Sequence, residues 1–152
     1  MIYMAKINSV DEKGKFRHHG SPFKKEVYTH DSLMNKKAPV VHQGTFYNKR
    51  VFKVAGCYNE KFHYHMDYEF HLRASKYFEI CTLNMYLSAL RKHPSAKTQR
   101  GNAFGILELL NARLINGGLL FHKETLLILK KFLYYLILPV WAKKRIKRFL
   151  AW

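Results

Sequence analysis

At 152 residues the chain can enclose one modest core, so a single domain or part of one is expected. Its 48% hydrophobic and 15% aromatic content excludes general disorder. The formal charge of +17 predicts attraction to polyanions, whether nucleic acid, anionic lipid headgroups or a sugar diphosphate, without choosing among them.

The opening MIYMAKINSVDEKG lacks the charged stretch and apolar core of a signal peptide, so the expected location is the cytoplasm. Residues 2–10 alternate loosely and run into Asp-Glu-Lys-Gly. With residues 15–17 they predict a β-hairpin turning at Gly14. Residues 18–39 are polar, with Gly20, Pro22, Lys36 and Lys37, and are expected to be mostly loop with a short helix near 24–29. Residues 40–47 predict a buried strand, and residues 49–54 a short helix closed by Gly56 as a left-handed cap. From Asp67 to Lys76, Tyr68, Leu72 and Ser75 recur at helical spacing. Asp67 and Glu69 fall in that helix's first turn, where acidic groups suit the dipole. Residues 78–82 and 85–90 are strand-like, 92–101 form a basic loop, and 104–115 predict a helix stopped by Asn116-Gly117-Gly118.

The end of the chain changes character. Residues 125–141, TLLILKKFLYYLILPVW, precede AKKRIKRFLAW. Lys130, Lys131 and Pro139 interrupt the apolar stretch, which falls short of the roughly 20 apolar residues of a spanning helix. An amphipathic segment, in the membrane plane or packed on the core, is expected. Lys143, Lys144, Arg145, Lys147 and Arg148 lie among Trp141, Phe149 and Trp152, a pattern suited to an anionic interface. Each basic residue there contributes about 1 kcal/mol. The plainer alternative is a packed helix with a solvated basic tail.

The two cysteines, Cys57 and Cys81, have no metal-type spacing and are expected to be reduced and packed. His63, His65, Asp67 and His71 could imitate a metal site, but no second pair at recognisable spacing completes it. Metal binding by this cluster is therefore not expected. Basic residues interleaved with Tyr and Phe could support nucleic-acid binding. No helix-turn-helix, zinc-finger, RNA-recognition or OB signature accompanies them, so nucleic acid is not the expected partner.

The run at 41–73, VHQGTFYNKRVFKVAGCYNEKFHYHMDYEFHLR, carries a more specific pattern. His-Gln precedes a strand-like Gly-Thr-Phe-Tyr, then a short Lys/Arg-Val-Phe helix, then Gly56. A Tyr-Asn-Glu-Lys-Phe turn and an Asp-Tyr-Glu-Phe-x-Leu-Arg helix start follow. In this order the run resembles the acceptor-side half of family 2, GT-A-type glycosyltransferases. The resemblance covers residues 1 to about 100 and implies an α/β fold, the C-terminal part of a GT-A domain, with appended amphipathic helices in 101–152. It implies that Asp67 is the general base of an inverting sugar transfer. His42, Gln43 and Thr45 would line the acceptor side, and Glu69 and Arg73 would support the site. Taken alone, Asp67 would be an ordinary acid at a helix N-terminus.

Complete members carry an Asp-x-Asp that holds magnesium or manganese and the donor diphosphate. No such motif occurs here. The expectation is a chain truncated before the nucleotide-binding half, holding no metal by itself, with a separate chain as one candidate source of that half. The implied substrates are a nucleotide sugar and a glycan or lipid-linked acceptor, used in envelope polysaccharide synthesis on the inner face of the cell membrane. The alternatives are a non-catalytic basic protein that binds nucleic acid or membrane surfaces, and an inactive gene remnant.

Overall fold

A computed structural model describes residues 1–20, 23, 27–35, 42–94, 96, 103–120 and 122–137. The loosely alternating N-terminus forms β1 (Ile2–Val10), which turns at Gly14 into β2 (Phe16–His19). Asp11 shapes this turn, its carboxylate accepting the Lys13 and Lys15 amides at 3.0 and 2.8 Å. There follow β3 (Val27–Tyr28), α1 (His30–Asn35), a 3-10 turn (His42–Gly44) and β4 (Thr45–Tyr47). After them come α2 (Lys49–Ala55), α3 (Met66–Ala74), β5 (Ile80–Arg91), α4 (Ala103–Ile115) and α5 (Lys123–Ile137).

The chain is thus mixed α/β around a five-stranded mixed sheet ordered β2-β1-β5-β3, with β4 also paired to β1. β1 runs parallel to β5, Ile2 opposite Ile80, and antiparallel to β2, while β4 pairs antiparallel with its first residues. Ile2, Met4, Tyr28 and Ile80 from the strands are buried against Leu33, Val51, Phe70 and Leu72 from α1, α2 and α3. These helices cover one face of the sheet, and that face is the core. Beyond α3, α4 packs on α3 and α5 on α4.

Several expectations change. The two strands expected at 78–82 and 85–90 are one strand, β5, whose register against β1 shifts between Ala5 and Ile7. Between the two stretches, the Asn84 side-chain carbonyl accepts from Lys6 Nζ and a bulge absorbs the extra residues. Within the expected loop, His18 and His19 belong to β2, residues 27–28 pair with β5, and 30–35 are helical. Thr29 and Ser32 cap this helix reciprocally: the Thr29 amide donates to Ser32 Oγ at 2.8 Å and the Ser32 amide to Thr29 Oγ1 at 3.3 Å. Of the helix placed near 24–29, residues 27–28 are strand and 24–26 lie outside the described residues.

The expected strand at 40–47 reduces to β4. His42 to Gly44 form a 3-10 turn, and a Cβ on Gly44 would stand 2.6 Å from the Ala5 carbonyl oxygen. Only glycine lets this turn approach β1 so closely. Gly56 does end α2, with its amide donating to the Phe52 carbonyl at 3.0 Å. Its φ of 78° pairs with a ψ of −179°, an extended glycine conformation rather than the left-handed helical one. Most of the 92–101 loop, and the tail residues Trp141, Lys143, Lys144, Arg145, Lys147 and Arg148, lie outside the described residues.

Candidate active site

α3 begins after an irregular segment, and its first turn presents Asp67 half-exposed. One carboxylate oxygen, Oδ1, accepts the Tyr68 amide at 2.8 Å. Among the described residues no other hydrogen bond or ion pair engages that carboxylate. The adjacent polar groups are tightly tied. His71, one turn further, is fully buried and places Nδ1 2.7 Å from the Asp67 carbonyl oxygen. A carbonyl only accepts, so Nδ1 carries the proton and Nε2 is an acceptor. The Tyr47 hydroxyl, 2.9 Å from Nε2, therefore donates to it. Burial lowers the His71 pKa from 6.5 to about 4, and His71 is neutral near pH 7.

Tyr47 arrives from β4. Its hydroxyl pKa is raised, first by burial and then by neighbouring Tyr58 and Asp67, while Thr45 acts on it in the opposite direction. Tyr47 packs edge-on to Phe52 and Phe70, each with ring centres 5.4 Å apart. Tyr58 lies 4.5 Å from the Phe70 ring centre, and His42 sits edge-on to Tyr58 at 5.8 Å. The fold thus brings His42, Thr45 and Asp67 around one cluster containing Tyr47, Tyr58 and His71. Gln43 is exposed on the neighbouring turn.

Glu69 and Arg73 occupy a different setting. Glu69 is 1% exposed, and Arg73 engages it through Nε to Oε1 at 2.8 Å and Nη2 to Oε2 at 3.0 Å. Arg73 also donates to the carbonyls of Ala55 and Cys57, and its guanidinium lies over the Phe70 ring. Hydrogen bonding to Glu69 holds the guanidinium pKa above its ordinary value. With both carboxylate oxygens of Glu69 occupied, the pair ties the end of α2 to α3.

Two further residues escaped sequence reasoning. Glu108, buried on α4, accepts three consecutive backbone amides: His63 at 2.8 Å, Tyr64 at 2.6 Å and His65 at 3.1 Å. His65, the N-cap of α3, makes no side-chain cap of its own, so a carboxylate 43 residues away gathers the segment leading into Asp67. Arg113 is likewise buried, donating to the Met34 carbonyl at 2.6 Å and the Tyr68 hydroxyl at 3.2 Å. No local spacing announces either residue. A buried acid and base five apart on an apolar helix were the one available signal.

His63 is exposed, His65 half-buried and His71 fully buried. Burial lowers the His65 pKa, and among the described residues its Nδ1 has no hydrogen-bond partner. Among the described residues no group of three or more His, Cys, Asp or Glu could hold a metal ion. Asp67-Tyr68-Glu69 does not fit one, because Glu69 is committed to Arg73. Both cysteines are free, and Cys57 is exposed rather than packed.

The chain matches no protein-family model and no curated protein. What the site can do must follow from its own geometry. A half-exposed carboxylate held at a helix start, beside aromatic rings and hydroxyls, can accept a proton from a bound hydroxyl compound.

Proposed function

We propose that this sheet and its covering helices form the acceptor-side part of a GT-A glycosyltransferase, with Asp67 as general base. The observation that carries the reading is Asp67 itself. Asp67 is half-buried, and among the described residues its carboxylate is engaged only by its neighbour's amide, while nearby Glu69, His71 and Glu108 are committed to partners. The succession of β4, α2, Gly56 and α3 matches the order that carries the family resemblance. Tyr58 and His42 offer a ring surface against which a sugar could rest.

In this reading an acceptor hydroxyl gives its proton to Asp67 as its oxygen bonds to the anomeric carbon of the donor. The bond from that carbon to the nucleotide diphosphate breaks, and the configuration inverts. Tyr47 and His71, neutral and hydrogen-bonded, hold the helix start without competing for the proton. The residues described here include no set suited to a metal, so no step is assigned to one. Donor binding would fall to a nucleotide-binding half, supplied by another chain or by sequence beyond this one. Trp141 and the basic C-terminal residues Lys143, Lys144, Arg145, Lys147 and Arg148 would keep the enzyme on the inner face of the cell membrane near lipid-linked acceptors.

The test measures transfer of radiolabelled sugar from nucleotide sugars into lipid-extractable or polymeric product, using membranes from cells that express the chain. Asp67→Asn should abolish transfer while circular dichroism and thermal midpoint stay near wild type. Full transfer by that variant would remove Asp67 from the mechanism. No chain-dependent transfer from any nucleotide sugar would sink the glycosyltransferase reading.

A further inference from the structure

α5 spans 15 described residues, of which Thr125 alone is buried. Leu126, Leu129, Leu133, Leu136 and Ile137 are all exposed, from 37% at Leu129 to 70% at Ile137. At 3.6 residues per turn, their spacings of three, four, three and one place them on one stripe. Exposed Lys123 and Lys130, two turns apart, border that stripe on one side. The turn ahead of α5 adds Leu119, 72% exposed, and Leu120, 58% exposed. A contiguous apolar face of this kind marks a contact surface.

We infer that the leucine stripe of α5, continued by Leu119 and Leu120, beds into the headgroup and upper acyl region of an anionic bilayer with the helix axis in the membrane plane. Length argues for lying rather than spanning. The fifteen described residues of α5 reach about 22 Å, against about 30 Å of hydrocarbon, Lys130 and Lys131 interrupt them, and Pro139 follows in the sequence. Among the described residues no helix is long and apolar enough to cross a membrane.

Charge argues for lipid rather than a protein groove. Lysines at the stripe's border can lay their methylene stems along it and keep their ammonium groups at headgroup level. The chain leaving Ile137 continues for 15 residues that hold Lys143, Lys144, Arg145, Lys147 and Arg148 beside Trp141 and Trp152. An apolar stripe joined to a basic, tryptophan-containing segment gives hydrophobic insertion and headgroup attraction along one continuous stretch. The inference rests on the peripheral location proposed above, and it makes α5, rather than the basic tail alone, the inserted element.

The experiment is co-sedimentation of the full chain with phosphatidylglycerol/phosphatidylcholine vesicles and with phosphatidylcholine vesicles. Wild type should favour the anionic vesicles. L129Q/L133Q/L136Q, which leaves every charge in place, should bind them about tenfold more weakly or worse. Should that variant misfold, a W141F/W152F chain carrying Leu133→Trp supplies the second readout: brominated lipid should quench the new indole. Wild-type binding by the triple glutamine variant, or an unquenched indole on bound protein, would overturn the inference. So would a lipid-free oligomer that the triple variant dissolves, since the occupant would then be a second copy of the chain. Vesicle binding without sugar transfer would refute the catalytic reading alone, and Asp67-dependent transfer with no effect of the stripe would refute this inference alone.

Discussion

Glu69, His71 and Glu108, buried around α3, are closed off by specific partners, whereas along α5 apolar groups are left open. Glu69, His71 and Glu108 are each nearly inaccessible, and each has at least two hydrogen bonds or charged contacts. Leu133 and Leu136 are 44% and 64% exposed. The difference follows from the cost of each mistake. An unpartnered buried carboxylate costs several kcal/mol, so the interior admits one only with its donors in place. An exposed leucine forgoes only about 2 kcal/mol of burial, which a surface that waits for a partner can bear. The two regions therefore expose different kinds of group: a carboxylate at Asp67, and a row of leucines on α5.

The largest test of that contrast is Arg73→Ala, which would leave Glu69 buried beside Phe70 without its cation. A loss of about 3 kcal/mol or more is expected in urea unfolding. A loss below 1 kcal/mol would show the pair to be dispensable and α3 held by apolar packing alone. The pH dependence comes next. The folded-state pKa of His71 is about 4, below the ordinary 6.5, so the folded protein binds fewer protons than the unfolded chain between those values. Its contribution is whole above pH 6.5 and is lost as pH falls toward 4, a change on the order of 3 kcal/mol. Unfolding midpoints measured across that range should fall, and His71→Asn should flatten the slope.

Glu108→Ala is expected to cost about 2 kcal/mol, because three backbone amides lose one acceptor. Hydrogen exchange should quicken at His63, Tyr64 and His65 and stay unchanged within β1, and unchanged exchange at those three amides would break the assigned coupling between α4 and the approach to Asp67. The smallest effect belongs to α5. Leu133→Gln should alter stability by under about 0.5 kcal/mol without lipid, as calorimetry can check. A large loss there would mean that the stripe is part of the core.

Local signals served well where the structure is local. The hairpin at Gly14, the helix ended by Gly56 and the acid-first helix from Asp67 each depend on residues within a few positions of one another. Thr29 and Ser32 carried a cap signal that the polar composition around them obscured. The continuity of β5 was not legible locally, since polar Asn84 within it is met by Lys6, 78 residues away. The sequence pattern pointed to Asp67, His42, Gln43, Thr45, Glu69 and Arg73, and it named His71 only as part of a histidine cluster. Tyr47 and Glu108 lay hidden, and so did the burial of His71, because a buried histidine and an exposed one are the same letter.

The sequence by itself determined the α/β composition, the hairpin, the position of α2 and α3, and the placement of Asp67 at a helix start. These follow from backbone preferences and hydrogen bonds that close within about four residues. Tertiary structure alone decided that β1 lies parallel to β5, that Glu69 serves Arg73, and that Glu108 gathers the amides before α3. It also decided which leucines of α5 remain uncovered. Partners of that kind are chosen by packing between distant segments, and a carboxylate's surroundings, unlike its identity, are not written beside it in the chain.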